Sequence, residues 1–118
     1  MPVMRLPVEP PIEPMLAKAM PQLPDGDRWL YEPKWDGFRA LVFRDGDEVY
    51  IQSRDRNPLD RYFTELGEPH RSNLPHLCFL DCEIVIATDR RMEFDELMLS
   101  IHPAKSRQTM LAEQTPAA

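Results

Sequence analysis

The sequence predicts an α+β fold, an antiparallel β-sheet with flanking helices, and three observations carry the prediction. Two β-rich runs, 39–44 (RALVFR) and 48–54 (EVYIQSR), flank Asp45-Gly46-Asp47, and an Asp-Gly pair between such runs is a strong hairpin signal. A third run, 77–87 (LCFLDCEIVIA), reads as the most buried strand. Residues 57–67 (NPLDRYFTELG) space Leu59, Tyr62, Phe63 and Leu66 at i, i+3, i+4 and i+7, one apolar stripe on a helix.

In chain order, seven of the 13 prolines fall in residues 1–24. Proline fixes φ and removes a donor, so this segment is an extended lead-in. Two readings are open for it: a disordered tail, or a strap over the domain pinned by Met15, Leu16 and Met20. Residues 28–32 (RWLYE) read as a short strand ended by Pro33, which leaves Lys34 at a strand end or in a loop. With Asp45-Gly46 as a two-residue loop, Arg44 faces Asp47, Arg39 faces Gln52, and Arg39, Leu41, Tyr50 and Arg54 share one face. In the helix over 57–67, Asn57 is the N-cap, Pro58 suits the first turn and Gly67 is the stop. Residues 68–76 form a polar connector. On the third strand, Cys78, Leu80, Cys82, Ile84 and Ile86 face one way, and Phe79, Asp81, Glu83 and Val85 the other. Residues 92–94 return as a strand, and 95–102 (DELMLSIH) form a short helix ended by Pro103. The folded part therefore spans 25–104, and 105–118 is a disordered tail with no visible packing partner.

The 118 residues suit one domain, with 42% hydrophobic and 29% charged residues as in a globular protein. No apolar run approaches the ~20 residues that span a bilayer. The proline-rich start does not resemble a signal peptide, so no membrane and a cytoplasmic location are expected. A net charge of −6 argues against nucleic-acid binding by the whole surface and leaves a local basic site open. Cys78 and Cys82 lack C-x-x-C spacing and read as buried free thiols. His70, His76 and His102 show no ligand spacing and read as surface residues. Trp29, Tyr31 and Trp35 read as packing residues.

The chemistry concentrates in residues 31–40 (YEPKWDGFRA). Lys34, Asp36, Gly37 and Arg39 fall within six positions beside a rigid proline, a setting suited to a lysine that must lose its proton and attack. Asp81 and Glu83 are carboxylates in an apolar strand, which is costly unless they are paired or used. Arg39 and Arg54 have two open readings, phosphate contact or cross-strand pairing with a carboxylate. Arg56 and Arg61 read as a solvated face, with contact to DNA phosphate as the alternative.

These residues resemble a known family. Lys34-Trp-Asp36-Gly37-Phe-Arg39 looks like the Lys-x-Asp-Gly-x-Arg signature of ATP-dependent DNA ligases. The run 52–56 (QSRDR) sits where the family has its Ser-Arg motif, 79–85 (FLDCEIV) is similar to its Asp-Gly-Glu strand, and the segment from Phe94 resembles the bacterial repair-type branch. The resemblance covers about residues 10 to 115 and implies the first half of an ATP-grasp-like nucleotidyltransferase domain. It makes Lys34 the nucleophile that takes AMP from ATP. It places Glu32 near the adenine, Glu83 on the ribose hydroxyl, and Arg39 and Arg54 on phosphate or ribose oxygens. Asp36 and Gly37 support the motif, with Asp36 orienting the lysine or a metal-bound water. Mg²⁺ or Mn²⁺ would accompany the triphosphate, with no metal ligand assigned. The implied partners of the full enzyme are nicked double-stranded DNA, ATP, end-binding repair proteins and a separately encoded remainder.

Two departures stand out. Cys82 occupies the family's glycine position, where its side chain would crowd the nucleotide beside Glu83. The family's domain also extends past residue 118, into an adenine-sandwiching aromatic, a later glutamate and a lysine pair, and the family adds an OB-fold that clamps DNA. Incomplete ligation is therefore expected of this chain alone. The alternatives are a non-catalytic remnant with weak nucleotide binding, or an RNA ligase or capping-type nucleotidyltransferase.

Overall fold

A computed structural model describes residues 4–87, 92–99, 101, 112–114 and 116–118. Three strands, β1 (Phe38–Asp45), β2 (Glu48–Ser53) and β3 (Leu77–Ile84), form an antiparallel sheet in the order β2-β1-β3. The central strand β1 is hydrogen-bonded on both sides and buries Ala40 to Arg44. The strand expected to be most buried, β3, is instead an edge, with Leu77, Phe79 and Leu80 exposed. Among the described residues it pairs only on its β1 side.

The hairpin forms with its loop one residue later than expected. Asp45 pairs with Glu48, so Gly46 and Asp47 make the loop, and Arg44 lies opposite Val49. Gly46 takes φ 62, a left-handed conformation that glycine accepts without a steric penalty. The shift moves pairs by an even number of positions, so the faces are unchanged and Arg39, Leu41 and Tyr50 share one. Buried Arg44 points the other way. Its guanidinium donates to the carbonyls of Gly46, His70 and Leu74.

The helix expected over 57–67 is absent. Leu59 N–H donates to the Ile51 carbonyl, Ile51 N–H donates to Asp60 Oδ1 at 2.6 Å, and Gln52 bridges Pro58. The segment thus spends its backbone groups on the free edge of β2. Its apolar residues still face inward, and Leu59, Phe63 and Leu66 are buried. Helix begins later, as a 3₁₀ turn (Thr64–Leu66) and then α1 (Gly67–Asn73). Gly67 opens that helix, and α1 occupies the expected polar connector. Pro69 suits its first turn, and Leu74, extended before Pro75, ends it.

No strand forms over 28–32, and Leu30 is 99% exposed. Both neighbours of β1 are already taken, and the run does not pair with the open edge of β3. Among the described residues, the return after β3 is an isolated bridge from Ala87 to Met92, followed by α2 (Phe94–Leu99). The rest of the expected helix, Ser100 and His102, lies outside the described residues. So do 105–111 and 115 of the expected tail. The end of that tail is packed: Ala117 is buried, and Ala118 exchanges backbone hydrogen bonds of 2.8 and 2.7 Å with Val85.

Each sheet face carries its own core. One core joins Ala40, Val42, Ile51, Leu59, Phe63, Leu66, Ile84, Ile86 and Leu97. The other joins Leu41, Phe43 and Tyr50 to Met4 and Leu6 of the lead-in. The lead-in is therefore a strap, but the side chains of Met15, Leu16 and Met20 do not pin it, since all three residues are exposed. It is held by Met4 and Leu6, by Arg5 on Asp45, and by Ile12, whose backbone exchanges two hydrogen bonds with the Gln52 side chain.

Candidate active site

Antiparallel pairing brings the start of β1 and the ends of β2 and β3 to one end of the sheet. Ser53 lies opposite Ala40 and Ile84 opposite Phe38. The loop that carries Lys34 enters β1 there. A shallow cleft of about 390 Å³ opens at this point, lined by Lys34, Trp35, Asp36, Gly37 and Phe94.

Gly37 is required by close approach. A Cβ on it would collide with the Ile84 carbonyl and lie 2.8 Å from Val85 Cγ1. The absence of a side chain thus lets the lysine loop sit against the end of β3, where Glu83 stands.

Arg39 and Glu83 are cross-strand partners in register. The Arg39 guanidinium, however, engages Asp81, with Nε to Oδ1 at 3.1 Å and Nη2 to Oδ2 at 2.7 Å. It also donates to the Met15 carbonyl of the strap. These hydrogen bonds to Asp81 are the main reason that the Arg39 pKa rises. The pairing reading of Arg39 therefore describes this conformation, with Asp81 and not Glu83 as the fork's partner. Partial desolvation raises the Glu83 carboxyl above its usual value, and the positive charges of Lys34 and Arg39 pull against that rise. Lys34, Arg39 and Glu83 thus share one electrostatic environment.

Cys82 does not enter it. Strand alternation turns its side chain to the opposite face, where it packs against the larger core and its Sγ lies 3.4 Å from the Ala40 carbonyl. The expected crowding of the nucleotide side by this thiol is corrected accordingly. Burial raises the thiol's pKa, with Asp81 and Glu83 adding to the rise. Both cysteines are free and half-buried.

The structure does not gather every expected residue. Glu32 and Arg54 are exposed and do not line the cleft. Trp29, Tyr31 and Trp35 are exposed rather than packed. His70, read as a surface residue, is half-buried, and its Nδ1 has no partner. Phe94, expected in a returning strand, is a wall of the cleft, and Met15, expected to pin the strap, holds Arg39 through its carbonyl; the sequence pointed to neither of these site roles. Among the described residues no group of three or more His, Cys, Asp or Glu is placed to hold a metal. No helix among them is long and apolar enough to cross a membrane.

Comparison with known proteins agrees with this arrangement. The family model described as ATP dependent DNA ligase domain matches residues 14–118. DNA ligase C of Mycobacterium tuberculosis is 54% identical over 114 residues, covering 97% of this chain and 31% of that protein. DNA ligase C1 of Mycolicibacterium smegmatis is 57% identical over 119 residues, covering 97% and 34%. The chain thus spans about a third of the length of these relatives. A mycobacterial DNA ligase D structure, complexed with ATP and MES, superposes with a TM-score of 0.55 at 22% identity, over 73% of this chain and 25% of that one. That likeness speaks to the fold alone.

Proposed function

Because the chain belongs to the ATP-dependent DNA ligase domain family, we propose that it is the lysine-bearing part of a ligase adenylation site, acting in the sealing of nicked DNA. The observation that carries this reading is Lys34, exposed in a cleft with Asp36 and Gly37 and close enough to Glu83 to bias its charge.

In the proposed reaction, neutral Lys34 Nζ attacks the α-phosphorus of ATP. The N–P bond forms, the P–O bond to pyrophosphate breaks, and the lysine's proton passes to solvent or to Asp36. Asp36 is an exposed acceptor in the same cleft. Glu83 accepts the ribose hydroxyl, and Glu32 approaches the adenine edge. Arg54 meets phosphate oxygens, and Arg39 joins it where the Asp81 fork leaves donors free. A divalent cation, Mg²⁺ or Mn²⁺, would arrive with the triphosphate as part of the substrate. A single carboxylate such as Asp36 suits the hydrated, phosphate-borne Mg²⁺ of such sites. DNA repair, a cytoplasmic setting, end-binding partners and a separately encoded remainder belong to the same proposal.

The test is the intact mass of the purified chain after incubation with ATP and Mg²⁺, beside Lys34→Ala and with GTP in parallel. A gain of one AMP that Lys34→Ala abolishes supports the reading. An equal gain from GTP turns it toward a capping-type enzyme. No gain in the chain alone means that the remainder of the site is required, and no gain even with the remaining two-thirds of a relative supplied in trans overturns the reading in favour of a non-catalytic remnant.

A further inference from the structure

We infer that Glu65 is a positioning residue for the loop that carries Lys34, acting through Ala117, Ala118 and Val85. The inference rests on the reading of Lys34 as the nucleophile, but it concerns a carboxylate to which that reading gives no role.

The first observation is a long-range hydrogen bond. Glu65 lies in the 3₁₀ turn (Thr64–Leu66), and its Oε1 accepts from the Ala117 N–H at 3.0 Å, across 52 positions of sequence. Its Oε2 is buried and has no partner among the described residues. A buried carboxylate oxygen without a donor costs stability. The turn itself does not call for that cost, since Phe63 and Leu66 already supply its burial. What the carboxylate adds is a fixed place for Ala117.

The second observation is where that place leads. Ala117 is buried in the larger core, and the next residue reaches Val85. Val85 N–H donates to the Ala118 carbonyl at 2.8 Å, and Ala118 N–H donates to the Val85 carbonyl at 2.7 Å. Val85 stands one position past β3, whose ladder with β1 ends at Ile84 opposite Phe38. Backbone frays where a ladder stops, so the exchange with Ala118 is what fixes Val85.

The third observation is contact with the lysine loop. Gly37 sits so close to Val85 that a Cβ on it would lie 2.8 Å from Val85 Cγ1. Gly37 lines the same cleft as Lys34, and Glu65 does not. The loop thus rests on Val85, Val85 is held by Ala118, and Ala118 follows the residue that Glu65 pins. Glu65 therefore acts at a distance from the cleft, by ordering its floor.

The test uses two readouts that need no ATP, in the 118-residue chain carrying Trp29→Phe, which leaves Trp35 of the cleft as its one tryptophan. They are amide hydrogen exchange at Val85 and Ala118, and time-resolved fluorescence anisotropy of Trp35. In Glu65→Ala both amides should exchange about ten- to a hundredfold faster, as loss of a hydrogen bond to a charged acceptor implies. The fast-decaying part of the Trp35 anisotropy should grow about twofold. Glu65→Asp keeps the charge but not the reach, so it should show the same changes if Glu65→Ala fails to fold. Glu65→Gln keeps an acceptor for Ala117 and should match the parent. Val49→Ala, a truncation against the same core at the hairpin end of the sheet, should lower stability and move neither readout. Unchanged exchange in Glu65→Ala and Glu65→Asp would overturn the inference. So would faster exchange with an unchanged Trp35 signal, an equal Trp35 change in Val49→Ala, or no rescue in Glu65→Gln. Absence of lysyl-AMP in the parent chain and in its mixture with the remainder of a relative would count against the adenylation reading and leave this one standing.

Discussion

Single residues decide whether the lysine loop reaches its place. A Cβ on Gly37 has nowhere to go, because the obstacle is the backbone carbonyl of Ile84 and not a side chain that can rotate. Gly37→Ala should therefore lower stability by about 2–3 kcal/mol, read as a fall in the urea midpoint at constant m-value. AMP transfer should fall with it. Cys82→Gly separates the two effects. The thiol faces the core, away from Arg39 and Glu83. Restoring glycine should cost about 1 kcal/mol through lost burial and a more flexible strand, while the yield of lysyl-AMP per folded molecule stays unchanged. A rise in that yield would show that the thiol does impinge on the nucleotide. Asp81→Asn would loosen the fork on Arg39 and return its guanidinium to phosphate, with a lower half-saturating ATP concentration in single-turnover lysyl-AMP formation as the expected reading.

At the scale of elements, the segment after β2 shows why pattern and structure part. Its i, i+3, i+4, i+7 spacing describes which side chains are buried, and Leu59, Phe63 and Leu66 are buried. It does not say where the backbone donors go. Local periodicity cannot reveal that β2 has a free edge for residues 58–60 to fill, so the expected helix lost to a non-local partner. The hairpin was legible because its determinant, a glycine able to take positive φ between β-rich runs, is local. That Lys34, Asp36 and Gly37 share one cleft was legible for the same reason, since they fall within four consecutive positions. The Arg39–Asp81 fork and the Met15 carbonyl depend on register and on the strap's path, which no local pattern encodes. Asp60 gives this element a pH signature. Its carboxyl, partly buried beside Ile51, is pushed up from 3.8 to about 6, with desolvation the main cause and the backbone hydrogen bond opposing it. The folded state thus holds this proton more tightly than the unfolded chain. Its contribution to stability is fully present below pH ~4 and is lost as pH rises through about 6. Asp60→Asn keeps an acceptor for the Ile51 N–H and removes the charge. It should stabilise the chain at pH 7 by about 1 kcal/mol, a figure reduced for the carboxylate's partial exposure, and flatten the thermal midpoint between pH 4 and 6.

At the scale of the whole molecule, one three-stranded sheet separates two cores, and they depend on different parts of the chain. The larger is built from β1, β2, β3 and the segments that follow them. The smaller exists only because the strap lays Met4 and Leu6 over Leu41, Phe43 and Tyr50. Met4 is 1% exposed, and truncating such a side chain removes both its transfer energy and its packing, so Met4→Ala should cost about 2–4 kcal/mol. The strap also reaches the site. From Arg5 on Asp45 it passes Ile12 on Gln52 and ends with the Met15 carbonyl on Arg39, so it connects the far end of the sheet to the cleft. Loosening it at Met4 should therefore disturb a guanidinium at the opposite end of β1. The measurement is hydrogen exchange across β1 in Met4→Ala, together with the yield of lysyl-AMP at a temperature where the variant remains folded. Faster exchange at Leu41 and Phe43 with reduced adenylation would mean that the strap transmits order to the lysine loop. Faster exchange with unchanged adenylation would confine the strap to stability and leave Gly37 and the end of β3 to position Lys34 unaided.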